Sequence, residues 1–273
     1  MGVAPHFRNM AKVLVCMENE DVFQKGISFL LPLKKLSANS PPLSLIWIEP
    51  GTFMMGSSGE KCEYRHGYEE PFQGTISDGF WLGKYPITQD QWQAVMKSNP
   101  SQYQPCPNCP VENLNREEAI SFCNQLNRLF SDQLPLGYRF GLPTEMQWEY
   151  ACRSGTQTKY YHGDDALTLS QVAWYDENSS GHPHPVGEKA PNAWGLYDML
   201  GNVWEWCDDF ASPYPAEPTA DWVGSMNKST GIFRGGDCNS SADSDMLLCS
   251  TRGYSLIDIK MPCLGFRLSL RVV

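Results

Sequence analysis

The sequence predicts an α+β domain, and three observations predict it. Residues 45–57, LIWIEPGTFMMGS, read as two strands separated by a turn at Pro50-Gly51. Three stretches between Thr88 and Arg153 carry the marks of capped helices. Beyond Cys152 the chain has Gly, Pro, Asn or Asp every few residues and no helical period.

Each element has a local reason. DGFWLGKYPIT (Asp78–Thr88) reads as a further strand. Thr88 then caps a short helix, with Gln91 completing a capping box and Trp92, Val95 and Met96 as the apolar stripe. In NREEAISFCNQLNRLF, Asn115 caps, Glu118 stands at the third helical position, and Ala119, Phe122, Cys123 and Leu126 fall on one face. Thr144 and Gln147 box the start of TEMQWEYACR. The irregular remainder must be held by tertiary packing, for which the nine Trp are the natural source.

Composition narrows the function. The chain has 273 residues, of which 41% are apolar and 12% aromatic, enough for a core and against disorder. Net charge is −10 with no basic run, which argues against nucleic acid and anionic membrane surfaces as partners. No stretch approaches the roughly 20 apolar residues of a membrane helix. Residues 1–44 read as an N-terminal appendage joined by a Ser/Pro linker (SANSPP), and 45–273 as the domain. AKVLVC (Ala11–Cys16) is too short for a signal core. The chain is therefore expected either to be cytoplasmic or to have a leader outside this sequence.

The ten Cys (Cys16, Cys62, Cys106, Cys109, Cys123, Cys152, Cys207, Cys238, Cys249 and Cys263) are irregularly spaced and are expected to be mostly free thiols, several of them buried. Cys106-Pro-Asn-Cys109 lacks the second pair a zinc site needs and the helix start a redox motif needs, so it reads as a loop with two ordinary cysteines. His182-Pro183-His184 reads as a Pro-stiffened surface loop, with an H-x-H metal pair as the alternative.

Several phrases in order, GTFMMGS (Gly51–Ser57), EEP (Glu69–Pro71), YPIT, PVENLNREEAISFC (Pro110–Cys123), RFGLPTEMQWEYACR (Arg139–Arg153), NAWGLYDMLGNVWEW (Asn192–Trp206), FRGG and LGFRL, resemble the formylglycine-generating-enzyme, or sulfatase-modifying-factor, family over about residues 45–270. The resemblance implies a C-type-lectin-like fold: two or three helices around a small twisted antiparallel sheet with much irregular chain. It also implies chemistry that this sequence does not fully carry. The family's enzymes oxidise a cysteine of a client protein with a copper-binding thiol pair five residues apart, shortly after Arg-Gly-Gly. Here those positions fall near Ser240 and Asp245; the alternative is a displaced pair, Cys238 and Cys249. A related branch holds non-haem iron with histidines on an additional helical domain; His6, His66, His162, His182 and His184 are the only histidines, and 44 residues are too few for that domain. The family's calcium site maps onto Asp198, Gly201, Val203 and Glu205, where two carboxylates suit a hard cation; the alternative is a purely structural turn.

The anchors Arg234-Gly235-Gly236 and Gly265-Phe266-Arg267-Leu268 are intact while the segment between them, about 235–267, is irregular. This resembles the variable proteins of diversity-generating retroelements, most closely the treponemal type, whose C-terminal segment is rewritten at adenines. A mutated AAC codon can give Asn, Ser, Asp, Gly, Tyr, Leu, Ile, Thr, Ala or Cys, and these types fill nearly all of Asp237–Cys263; Met246, Lys260 and Met261 are among the residues outside the set. The resemblance implies a non-enzymatic, receptor- or adhesin-like protein on a bacterial surface, needing no cofactor, whose partner is a protein or a glycan. Its expected contacts are Asp237, Cys238, Asn239, Asp243, Asp245, Tyr254, Leu256, Ile257, Asp258 and Ile259.

Overall fold

The computed structural model describes residue 26 and residues 28–33, 41–57 and 70–272. The AKVLVC stretch, most of the Ser/Pro linker, Glu69, Cys16, Cys62, His6 and His66 lie outside the described residues. Strands and helices follow in the order β1 (Phe29–Leu31), β2 (Leu43–Ile48), β3 (Gly51–Met55), β4 (Phe72–Ile76), β5 (Phe80–Gly83), α1 (Gln89–Met96), α2 (Arg116–Leu129), β6 (Tyr138–Gly141), α3 (Glu145–Arg153), β7 (Trp204–Ala211), β8 (Thr219–Ala220), β9 (Asn227–Arg234), β10 (Arg252–Leu256), β11 (Leu264–Gly265) and β12 (Ser269–Val272). Between α3 and β7, the described helical structure is one 3-10 turn, Ala166–Gln171.

Three sheets result among the described residues. The first, β1-β2-β5-β12-β6, is antiparallel throughout. The second runs β10-β9-β7-β11, with β11 parallel to β7, and the third runs β3-β4-β8. Pro50 marks a change of sheet: β2 pairs with β5, whereas β3 pairs with β4. β1 comes from the stretch expected to be an appendage, yet it pairs with β2, Phe29 opposite Leu45, and extends the first sheet. The last strand, β12, lies between β5 and β6, so the chain end closes the first sheet from within.

All three capping boxes form. Thr88, Asn115 and Thr144 have extended backbones and accept from the amides three residues on. Gln91, Glu118 and Gln147 accept in return from the cap amides, and a cap of this kind contributes about 1 kcal/mol. The expected face of α2, Ala119, Phe122, Cys123 and Leu126, is buried. On α1, Trp92 is buried while Val95 and Met96 are half-buried. The Trp92 ring stacks on Phe122 at 5.4 Å, and Phe266 meets both edge-on. The phenylalanine of the C-terminal Gly-Phe-Arg-Leu is thus a core residue, and Trp81, Trp148 and Trp206 are among the largest fully buried side chains.

Candidate functional site

The C-terminal segment is fixed at its base by buried charge. Arg234 ends β9 with no exposed surface. It forms ion pairs with Glu149 and, at 3.4 Å, with Glu145, both on α3. It also donates to the carbonyls of Ser250 (2.7 Å) and Cys249 (3.0 Å) inside the segment. Burial opposes charge on Glu149, but Arg153 and Arg234 beside it outweigh that and hold its carboxyl below the ordinary value. Gly235 and Gly236 follow with φ of 103° and 75°, a left-handed turn that side chains resist. A Cβ at Gly236 would lie 2.6 Å from Leu247, so the turn also brings the segment close underneath itself. Arg252, within the segment, is a further anchor: it binds both Glu145 oxygens at 2.7 and 2.8 Å. Nothing in the local sequence marks it, because its partner is 107 residues away.

The other end is held by Arg267, also fully buried, which grips both Glu205 oxygens at 2.6 and 2.7 Å and the carbonyls of Gly83, Tyr197 and Asp198. This decides how the calcium positions stand. Glu205 is committed to Arg267 and to the Trp148 indole (2.8 Å), so an ion would have to displace a buried arginine. Asp198 accepts from the Gly187 amide (2.8 Å) and Asn202 (3.2 Å), and burial raises its carboxyl to about 6. Gly201 donates to the Gly235 carbonyl, and Val203 is core. Among the described residues no three His, Cys, Asp or Glu are grouped to hold a metal. Both carboxylates are engaged by protein donors, and the four positions form a turn that seats the segment.

Between the anchors the chain is mostly irregular. Asp237 accepts from the Asn239 amide (3.0 Å) and the Ser240 hydroxyl (2.8 Å), a side-chain turn that leaves its carboxylate half-buried and raised by burial. A 3-10 turn, Ala242–Ser244, follows, then β10, then a loop seated on the start of α2, where the Arg116 amide donates to the Ile257 carbonyl and Lys260 pairs with Glu118. Of the ten expected contacts, Asn239, Asp243, Tyr254 (47% exposed), Leu256 (51%), Asp258 and Ile259 (40%) face solvent. Asp237, Asp245 and Ile257 are half-buried. Cys238 is a correction: it is fully buried beneath the segment, where its thiol meets Cys263 at 3.2 Å, and cannot touch a ligand directly.

The thiols do not form the displaced pair. Cys249 lies 3.5 Å from Cys152, and Cys238 lies against Cys263. Burial and the neighbouring sulfur push the Cys152 thiol well above its ordinary value, the reverse of a poised thiolate ligand. Six described cysteines are free and buried, as expected, but Cys106 and Cys109 are joined by a disulfide and are not ordinary thiols.

One neighbour of the segment was not visible in the sequence. Ser179 donates to the Cys238 carbonyl (2.6 Å), and Gly181 lies next to Asn239. The loop through His184 therefore borders the face. The His184 imidazole donates from Nε2 to the Ser179 carbonyl (2.8 Å) and stacks 3.8 Å from Trp174, which makes His182-Pro183-His184 a packed, half-buried loop.

This architecture, three small sheets around three short helices with an anchored irregular C-terminal segment, is the C-type-lectin-like fold of the formylglycine-generating-enzyme type. Residues 33–272 match the family described as the Sulfatase-modifying factor enzyme 1-like domain, and the chain belongs to it. The solved structure of Treponema denticola variable protein 1 is similar, with a TM-score of 0.79 at 27% identity, covering 90% of this chain and 99% of that one. Chaperone protein LppX of Paenibacillus barcinonensis is 31% identical over 194 residues, 54% of this chain and 68% of LppX. The formylglycine-generating enzyme of Streptomyces coelicolor is 30% identical over 177 residues, 59% of this chain and 52% of that enzyme, so the chain matches about half the enzyme's length.

Proposed function

We propose that this chain is a non-enzymatic ligand-binding protein whose C-terminal segment, about 235–267, is a retroelement-diversified face that contacts a protein or glycan on the outside of a bacterial cell. The carrying observation is a division of labour within 33 residues. Arg252 and Arg267, with Arg234 just ahead, are locked in buried ion pairs, while Asn239, Asp243, Tyr254, Leu256, Asp258 and Ile259 stand in solvent on the frame they make. Exposed positions of this kind exchange at low cost in stability, about 0.5 kcal/mol or less each. Exposed Tyr254, Leu256 and Ile259 beside Asp258 give a mixed apolar and acidic contact surface. The similarity to Treponema denticola variable protein 1 supports the reading of a variable protein. Such binding needs no cofactor.

The competing role, copper-dependent oxidation of a client cysteine, draws on the 30% identity to the Streptomyces coelicolor enzyme. Ser240 and Asp245 at the pair positions, and the separate burial of Cys238 and Cys249, oppose it. The test is a displayed library in which Asn239, Asp243, Asp245, Tyr254, Leu256, Ile257, Asp258 and Ile259 are randomised and sorted first for folding, then for binding to one immobilised protein. Most members should fold, and binders absent from the parent should emerge. Collapse of the fold across the library, or folded members that never bind, would sink the proposal.

A further inference from the structure

Two thiols meet under the segment, one from near each end. Cys238 and Cys263 are 25 residues apart in the chain and both buried, with their sulfurs 3.2 Å apart. Their backbones are pinned by the frame. The Cys238 amide donates to the Asn202 carbonyl (3.1 Å), and its carbonyl accepts from Ser179. The Cys263 amide donates to the Glu112 carboxylate (3.3 Å), and its carbonyl accepts from the Trp204 amide (2.8 Å). Val203 packs on the pair, and the Asn239 side-chain amide points at both sulfurs, 3.5 and 3.6 Å away. A disulfide needs sulfurs about 2 Å apart, so the two sulfurs are roughly 1 Å short of bonding distance.

We propose that Cys238 and Cys263 are an oxidation site, and that their disulfide clamps the neck of the C-terminal segment. The oxidant is a disulfide compound of the glutathione class. One cysteine thiolate attacks the oxidant's sulfur and expels one thiolate, giving a mixed disulfide; the second cysteine attacks the protein sulfur of that bond and expels the other. The two cysteines lose two protons and two electrons, and the oxidant leaves as two thiols. The reaction belongs to folding, when the sulfurs are still accessible, since both are buried in the native chain. Cys106–Cys109 is already a disulfide, so such chemistry is not foreign to this chain. The clamp ties the segment's two ends beneath the exposed positions and acts whatever the segment binds.

The full chain, refolded in buffer with oxidised glutathione, is unfolded without reductant, alkylated, digested and mapped by mass spectrometry. A peptide joining Cys238 to Cys263 is expected. In the same buffer Cys263→Ser should melt about 5–10 °C below the parent, the effect of closing a loop of this length, and the gap should shrink to about 2 °C when both are reduced. Alkylation of both cysteines after oxidative refolding, a crosslink from Cys238 to any other cysteine, or an equal melting gap in both buffers overturns the proposal.

Discussion

Replacing Arg234 by Met isolates the anchor on which the segment depends. The substitution keeps length and apolar bulk but removes a guanidinium that pairs with Glu149 and donates to the carbonyls of Cys249 and Ser250. Breaking a buried ion pair from one side costs about 3–5 kcal/mol because it strands the partner charge. Glu149 is not wholly stranded here, since Arg153 stays 2.8 Å away and the Gly56 amide donates to it at 2.9 Å. That moderates the loss. Two buried carbonyls left without a donor restore part of it, at about 1–3 kcal/mol each if no water reaches them. The net expectation is about 4 kcal/mol, or roughly 10 °C in Tm for a domain of this size. Urea unfolding followed by tryptophan fluorescence measures it. The paired Tyr254→Ser and Leu256→Ser substitutions, on the exposed face, should each cost no more than about 0.5 kcal/mol. An Arg234→Met protein within about 1 kcal/mol of the parent, or serine variants as unstable as Arg234→Met, would refute the division between anchor and face.

Three further outcomes follow from the same packing. Burial, with Glu145 beside it, pushes Asp209 up to about 7, above its unfolded value near 4; its favourable contribution is therefore complete below about pH 4 and is lost as pH rises to about 7. Asp209→Asn should flatten the fall in stability across that window, and an unchanged slope would reject the assignment. Gly201→Ala places a Cβ 2.1 Å from the Trp174 carbonyl at a φ of 73°, so a loss of at least about 2 kcal/mol is expected in the same urea assay, and a neutral result would mean that the turn is not tight. Millimolar calcium or a chelator should leave Tm unchanged, because Glu205 is already held by Arg267; a calcium-dependent rise in Tm would show that the arginine yields.

What could be read from the sequence was what is local or bracketed by motif. The three helix starts were legible because each cap and its partner lie three residues apart, and their geometry is set within one turn. The anchors were legible as intact phrases, Arg-Gly-Gly and Gly-Phe-Arg-Leu, although their mechanism was not: Arg234 meets Glu149 across 85 residues and Arg267 meets Glu205 across 62. The same distance hid other features. Cys238 was expected among the contacts because it falls in the segment the resemblance marks as variable, and only its contact with Cys263 places it underneath. Pro50 announced a turn but not that β2 and β3 would enter different sheets. Phe29–Leu31 sits in a stretch whose composition reads as separate, yet a three-residue strand needs only a free sheet edge to join. Exposure of the face was legible only through the resemblance; β10, whose alternation turns Tyr254 and Leu256 outward while Ser255 is half-buried, was not read from the sequence.

The most direct measurement is the DNA sequence of the gene and its flanks. The predicted result is a nearby near-copy of the stretch encoding Gly235–Arg267 that differs only where the copy carries adenine, beside a reverse-transcriptase frame, with mismatches at exposed positions such as Asn239, Tyr254, Leu256 and Ile259 and none at the codons of Arg252 or Arg267. Flanks with no such copy, or mismatches concentrated at the buried arginines, would contradict the claim that this segment is a diversified binding face.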